Sequence, residues 1–125
     1  MSLESEITVF TDSYLETLFW SEIQDTGEPM DDDYGPEDLA PEALAEIKQD
    51  CRSFVESNQA LFARLPAEYD DMHNRAGHDF ALTRNGHGAG FWDRGLGTLG
   101  DELTDACDGY GSQNLYVGDD GRVYV

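Results

Sequence analysis

The stretch that decides the fold runs from Pro41 to Pro66 and reads PEALAEIKQDCRSFVESNQALFARLP. Its apolar residues recur at steps of three and four, the spacing of one face of an α-helix. A proline in the first turn, followed by an acidic residue, favours a helix start at Pro41. The stripe comprises Leu44, Ile47, Cys51, Phe54, Val55, Asn58, Leu61, Phe62 and Leu65. The pattern predicts one long amphipathic helix whose apolar face forms the core.

Upstream of this stretch, the sequence predicts a first helix and an acidic linker. Ser13 followed by Glu16 has the pattern of a capping box, so we expect the helix to begin there and to end by Gly27. Residues 5–10 are ambiguous between a short strand and a helical lead-in. Residues 25–38 are acidic, contain turn-forming residues and predict a linker.

Downstream, two further helices are predicted, with a loop between them. The third helix is expected to begin at Pro66 and to continue to Leu82, although Gly77 weakens its middle by about 1 kcal/mol relative to alanine. Residues 85–100 are rich in glycine and predict a loop, and residues 101–108 predict a short helix with acids in its first turn.

The end of the chain, residues 115–125, has the pattern of a β-hairpin. Aliphatic side chains alternate with tyrosines on both sides of Asp120 and Gly121, which tolerate the positive φ of a hairpin turn. An isolated hairpin is only marginally stable, so it has to pack on the helices. With 125 residues, 39% of them hydrophobic, the chain fits one domain. The sequence predicts a mainly α (α+β) single domain over 1–125, with three to four helices and a C-terminal hairpin.

We expect several large side chains and both cysteines to be buried. Cys51 and Cys107 are too few and too far apart for a disulfide framework or a zinc knuckle, so they are interpreted as small buried hydrophobes. Trp20 is expected at the edge of the core. The large side chains expected inside the core are Phe54, Leu61, Phe62, Phe91 and Trp92.

Negative charge is the most unusual property of the sequence. The formal net charge is -20, and the first fifty residues contain fifteen Asp or Glu against one basic residue, Lys48. Such a surface repels DNA, which carries about one negative charge per ~1.7 Å of duplex, and it is complementary to proteins that bind phosphates. We therefore expect no direct binding of nucleic acid and a basic, nucleic-acid-binding protein as partner. The residues predicted to contact this partner are Asp25, Glu28, Asp31, Asp32, Asp33, Glu37, Asp38, Glu42, Glu46 and Asp50.

The acidic run that begins at Asp31 does not have the pattern of a calcium site. An EF-hand loop needs a glycine at its sixth position and a glutamate at its twelfth. Counted from Asp31, the sixth position is Pro36 and the twelfth is Glu42, so the essential glycine is missing. His73 and His78 are five residues apart, which does not place them on one helix face. We predict no metal and no other cofactor.

Residues 78–94 are where an active site would be expected, since they include two His, two Asp and two Arg. No spacing among them is typical of a metal site or a nucleophile, and the glycines do not form a phosphate-binding loop. We interpret the segment as an ordered structural loop in which Arg84 and Arg94 pair with Asp79 and Asp93, and in which His87 is not needed for function. The alternative is an adaptor or small enzyme that uses the loop between Arg84 and Arg94, with the acidity serving only solubility.

Several segments of the C-terminal half carry a family resemblance. They read HDFALTRNGHGAGFWDR at 78–94, GDELT at 100–104, YG at 110–111 and LYVGDDG at 115–121. In these segments the chain resembles a family of small uncharacterised proteins encoded by bacteriophages and prophages, which implies a phage setting and no catalytic role. In composition, the acidic half is similar to phage inhibitors that mimic DNA, such as anti-restriction and anti-CRISPR proteins. The leading hypothesis is an inhibitor that mimics the charge of DNA, and the alternative is a phage adaptor or enzyme.

The sequence contains no apparent signal for export or for a membrane. No apolar run approaches the ~18 residues of a membrane span, and the N-terminus lacks the basic and apolar regions of a signal peptide. We expect a protein of the bacterial host cytoplasm without a membrane partner. Salt adaptation is a third explanation of the acidity, since one Lys stands beside six Arg, and it would make folding depend on salt.

Overall fold

The computed structural model describes residues 2–65, 72–86, 90–91 and 95–125, and the predicted fold class is confirmed. These residues form a mainly helical fold with one small antiparallel sheet near the C-terminus. The helices are α1 (Leu3–Ser21), α2 (Pro41–Ser57), α3 (Gln59–Phe62), α4 (Met72–Arg84) and α5 (Thr98–Asp108), and the strands are β1 (Tyr116–Val117) and β2 (Val123–Tyr124). Single 3-10 turns, Met30–Asp32 and Pro36–Asp38, lie between α1 and α2.

Helix α1 begins at Leu3, well before the predicted start at Ser13. Ser2 is its N-cap, and the hydroxyl of Ser2 accepts a hydrogen bond from a backbone N–H of the first turn. Ser13 is buried inside the helix and donates its hydroxyl hydrogen bond to the carbonyl of Asn74 on α4, at 2.5 Å. The predicted capping box is therefore wrong, because this serine joins two helices instead of capping one. The helix also ends at Ser21, before the predicted end at Gly27.

Helices α1 and α4 approach each other closely at Gly77. A Cβ atom at this position would overlap the backbone carbonyl oxygen of Phe10, so only glycine permits the observed packing. One residue further along α4, Nδ1 of His78 lies 3.0 Å from Oγ1 of Thr17, in hydrogen-bond contact. Gly77, which the sequence marks only as a weak point of a helix, is the position where α1 and α4 make backbone contact.

The core is built mainly from aromatic rings of α1, α2 and α4. The ring of Phe54 on α2 stacks on Phe80 of α4 with centroids 4.2 Å apart, and Phe10 of α1 lies 5.8 Å from Phe54. Phe91, which follows α4, is fully buried and stacks on the ring of Phe54, and its predicted burial is confirmed. The predicted stripe on α2 is confirmed at Ile47, Cys51, Phe54 and Val55, all of which are fully buried.

The predicted long helix is divided at Asn58. Its backbone leaves the helical conformation (φ -119°, ψ 22°), and its side-chain amide donates to the carbonyl of Phe54 at 2.8 Å. The short helix α3 follows and buries Phe62 at 3% exposure, as predicted. Leu61 is only half-buried, so its predicted burial is wrong. Leu61 differs from the prediction because the helix is interrupted at Asn58. Residues after this break do not continue the apolar face of α2.

The C-terminal hairpin is confirmed. Tyr116 faces Tyr124 and Val117 faces Val123 in antiparallel register, and Gly121 takes a positive φ of 81° in the turn. The hairpin attaches to the chain that leads into α2, since the carbonyl of the buried Val123 accepts a hydrogen bond from the backbone N–H of Ala40 at 2.9 Å. It therefore packs beside the start of a helix.

Helix α5 begins at Thr98, so the glycine-rich loop is shorter than predicted. Gly100 lies inside this helix, where a Cβ would come within 2.8 Å of the carbonyl oxygen of Phe91. The helix ends at Asp108 with Gly109 as its C-cap, as expected. Several predictions lie outside the described residues, namely the third-helix start at Pro66 and the roles of His87, Trp92, Asp93 and Arg94. Within the described ranges, no helix combines the length and hydrophobicity needed to cross a membrane.

Candidate functional site

The segment predicted as an acidic linker is an ordered part of the fold. Its first half folds back on itself, since the backbone N–H of Gln24 donates to the carbonyl of Glu28, and that of Met30 donates to the carbonyl of Glu22, both at 2.8 Å. Gly27 closes this turn with a φ of 90°, a conformation that favours glycine. The segment predicted as a linker connects α1 to α2, and it consists of a tight turn followed by two 3-10 turns.

Side chains fix this segment to the core through Met30 and stabilise it internally through two local hydrogen bonds. Met30 is 1% exposed and belongs to the core, so it anchors the middle of the segment. The side-chain amide of Gln24 donates to a carboxylate oxygen of Asp33 at 3.0 Å, and the carboxylate of Asp38 accepts from the backbone N–H of Gly35 at 2.8 Å. Composition cannot reveal these contacts, because each of them depends on a single side chain: that of Met30, Gln24 or Asp38.

Most acidic residues predicted to bind a partner lie on the surface. Asp38 is half-buried by its role in the second 3-10 turn, and Asp50 is half-buried beside Arg84. The other eight side chains are exposed, and none of them takes part in an ion pair between described residues. We name these eight the acidic surface: Asp25, Glu28, Asp31, Asp32, Asp33, Glu37, Glu42 and Glu46. No Lys or Arg occurs in the sequence between the first and last of them.

Asp50 has an internal role instead of the predicted partner contact. Its carboxylate lies 3.1 Å from Nη1 of Arg84, whose side chain is only 2% exposed. The same guanidinium donates to the hydroxyl of Tyr14 at 3.0 Å and to the carbonyls of Gly111 and Tyr110 at 2.9 and 3.0 Å. Nη1 also donates to Oε1 of Gln113 at 3.2 Å, so each of the three guanidinium nitrogens has at least one acceptor, as a buried guanidinium requires. The predicted pairing of Arg84 with Asp79 is thus replaced by a pairing with Asp50.

The hydrogen bonds of Arg84 argue against the alternative hypothesis of an active site that uses this residue in the glycine-rich loop. The donors of Arg84 are engaged by the fold, so this residue does not present a guanidinium to a substrate. Burial raises the pKa of the Tyr14 hydroxyl and of the Cys51 thiol, and it raises the pKa of Cys107 to about 12. These groups are therefore protonated and are poor nucleophiles. Among residues that the structure describes, no three His, Cys, Asp or Glu side chains are grouped so that they could hold a metal ion.

A groove lined by both apolar and polar side chains, which the sequence patterns do not indicate, lies beside the acidic turn. Its walls include Ile23 and Tyr116, whose side chains are 58% and 55% exposed, together with Val117. Ile23 lies within the predicted first helix, but α1 ends at Ser21 and Ile23 faces solvent. Neighbouring side chains of a strand point to opposite faces, and in this hairpin Leu115 is buried while Tyr116 is exposed. Trp20, expected at the core edge, is also exposed at 45% and stacks on His78.

Comparison with protein-family models, with curated proteins and with solved structures finds no match to this chain. The function has to be inferred from the chain's own residues.

Proposed function

We propose that this protein binds a basic groove on a nucleic-acid-binding protein and inhibits that protein by taking the place of DNA or RNA. The observation that carries the proposal is the acidic surface: eight exposed carboxylates without ion-pair partners in the described structure, along a stretch that has no basic residue. Carboxylates and phosphates are recognised by the same donors, the Lys and Arg side chains of a basic groove.

The order of the acidic segment supports this proposal. A disordered acidic tail would lose conformational entropy on binding, whereas turns that are already fixed by Met30 and Gln24 lose less. Fixed carboxylates also present a defined spacing to a partner. The segment therefore has the preorganisation expected of a surface that imitates a rigid polyanion.

Helix geometry allows the linear charge density of α2 to be compared with that of DNA. Glu42 and Glu46 lie four residues apart on α2, which separates them by about 6 Å along the helix axis. One strand of duplex DNA carries a phosphate every ~3.4 Å of axis, so the helix alone has about half of that linear charge density. To reach the charge density of a DNA strand, the surface also needs the acidic residues of the two 3-10 turns that precede α2. Reversal of these turn acids should therefore affect binding strongly.

The experiment is capture of partners from a bacterial lysate on the immobilised protein, followed by elution with duplex DNA or with rising salt. The expected result is a captured nucleic-acid-binding protein that short duplex DNA displaces and that is released as salt rises. Each exposed ion pair contributes only ~0.2–1 kcal/mol and is screened by salt, so binding through many of them falls steeply with ionic strength.

The decisive variant reverses Asp31, Asp32 and Asp33 together to Lys, which should weaken capture strongly at ~0.15 M salt. The matched control reverses Asp101, Asp105 and Asp108, three exposed acids of α5, and changes the net charge by the same amount. It should weaken capture much less. Equal losses in both variants would indicate a general effect of net charge. Unchanged capture by the first variant, or a partner that does not bind nucleic acid, would overturn the proposal.

A further inference from the structure

The groove beside the acidic turn combines apolar side chains with the polar side chains of Gln24, Asp25 and Thr26, a composition that suits contact with a chain segment. Met30 and Leu115 are buried where they line it, at 1% and 7% exposure, and form its apolar base. Ile23, Tyr116 and Val117 line it with side chains that are 58%, 55% and 37% exposed. They are three of the large hydrophobic residues that the described structure leaves open to water. Exposed apolar side chains grouped in one groove are typical of a binding site.

The groove also runs along a strand edge that is open at Val117, whereas at Leu115 the backbone N–H already donates to the carboxylate of Glu22 at 3.0 Å. The backbone N–H of Gly118 donates to the carbonyl of Arg122 at 2.8 Å, so alternation in the antiparallel pair directs the N–H and C=O of Val117 away from β2. On the opposite edge, Val123 is already bonded to Ala40. No described residue forms a hydrogen bond with the backbone of Val117 at the open edge. An unpaired N–H and C=O of this kind can bond to an added strand.

The negative charge around the groove favours binding of a positively charged chain segment. Asp25 lines the groove, and Glu28 and Asp33 belong to the same acidic segment, while no Lys or Arg is among the described residues that line it. A second copy of this chain would bring another net charge of -20 to an acidic rim, which disfavours self-association. The same rim attracts a positively charged segment.

We propose that this groove binds an extended, basic segment of the partner protein, which adds as a strand to the open edge of β1. The backbone of Val117 pairs with the segment, and Ile23 and Tyr116 contact its apolar side chains. Asp25 and the neighbouring acids contact its Lys or Arg side chains. This inference rests on the proposed function for the positive charge of the partner, and it adds an apolar, salt-resistant contact to the acidic surface.

The test uses a synthetic peptide, acetyl-RVRVR-amide, as a probe of this surface, with binding followed by amide chemical shifts of the folded protein. We expect the largest shifts at Val117 and Ile23. The same peptide with N-methyl groups on its valines cannot donate backbone hydrogen bonds at those positions, and it should bind about tenfold more weakly. The peptide acetyl-EVEVE-amide should not bind.

Two variants of the protein test the apolar contact separately. Ile23→Ser and Val117→Ser should each weaken binding of the RVRVR peptide several-fold, while Leu3→Ser, which changes an exposed apolar side chain outside the groove, should not. Unchanged dispersion of the amide spectrum shows that each variant is folded. If both groove variants bind the peptide as wild type does, the inference is overturned.

The remaining outcomes separate this inference from the proposed function. Peptide-induced shifts confined to Asp31, Asp32 and Asp33, with equal affinity for the N-methylated peptide, would overturn strand addition and leave the acidic surface as the binding site. Peptide binding at Val117 together with unchanged lysate capture by the triple Lys variant would support the groove and overturn the proposed function. A concentration-dependent dimer that the Val117→Ser variant abolishes would identify a second copy as the occupant and overturn the inference.

Discussion

At the scale of single residues, the buried Arg84 connects several parts of the described structure. It is buried with Asp50 as its ionic partner and with Tyr14, Tyr110 and Gly111 as hydrogen-bond acceptors. Its guanidinium carbon also lies 5.1 Å from the ring centroid of Phe80, within range of a cation–π contact. A single side chain thereby joins α4 to α1, to α2 and to the segment after α5.

We expect Arg84→Met to lower the free energy of unfolding by about 3 kcal/mol, because it leaves Asp50 and several buried acceptors without a donor. Arg84→Lys should also destabilise the protein, since one ammonium cannot reproduce the fork of a guanidinium. Chemical denaturation provides the measurement. The control is Arg64→Met, which removes only an exposed ion pair with Glu102 and should cost at most about 1 kcal/mol. Equal effects of the two Met variants would contradict the assigned role of Arg84.

At the scale of elements, the contact between α1 and α4 depends on Gly77. We expect Gly77→Ala to destabilise the protein by about 1–3 kcal/mol, because the added methyl group overlaps the backbone of Phe10. Helix propensity alone predicts the opposite sign, a gain of about 1 kcal/mol. The control is Gly109→Ala, where no atom lies within 4 Å of the added group, and a change within about 0.5 kcal/mol is expected. A stabilised Gly77→Ala variant, in thermal or chemical unfolding, would show that the helices do not meet here.

The hairpin carries a hydrogen bond whose effect depends on pH. The hydroxyl of Tyr124 donates to the carboxylate of Asp120 at 2.6 Å; this bond lowers the pKa of Asp120 and is the main cause that raises the pKa of Tyr124 to about 12. The bond therefore stabilises the hairpin in the range between the two shifted pKa values. Its contribution is lost when the pH falls through the lowered pKa of Asp120 or rises through the raised pKa of Tyr124.

An NMR titration of the Tyr124 ring tests this bond. In wild type we expect the pKa near 12, and in Asp120→Asn we expect it to return toward the ordinary value of 10. Since both side chains are exposed, the effect on global stability should be small. An identical Tyr124 pKa in the two proteins would mean that the bond does not persist in solution.

At the scale of the whole molecule, the net charge of -20 opposes folding and the aromatic core favours it. We expect the protein to remain helical at ~0.01 M salt, because the core does not depend on counterions. We also expect the melting temperature to rise by a few degrees toward ~1 M salt, as screening reduces repulsion. Circular dichroism measures both. Loss of helical signal at low salt would favour salt adaptation as the explanation of the acidity.

The sequence by itself determined the elements whose signals are local. The apolar stripe from Ile47 to Val55 and the turn at Asp120 and Gly121 each depend on residues a few positions apart, so periodicity and turn chemistry were sufficient to predict them. The exposure of the acidic residues was also predictable, because unpaired charges are almost never fully buried. These signals gave the fold class and most of the candidate surface.

Only the tertiary structure decided which side chains meet across long separations in sequence. Asp50 was assigned to the surface by its helical position, yet Arg84 approaches it from α4. Ser13 had a capping pattern, yet α4 offers its hydroxyl a carbonyl acceptor. The groove beside Ile23 arises only because the turn after α1 and strand β1 lie next to each other. Such pairings depend on which faces the helices bury together, and no local pattern in the sequence specifies that choice.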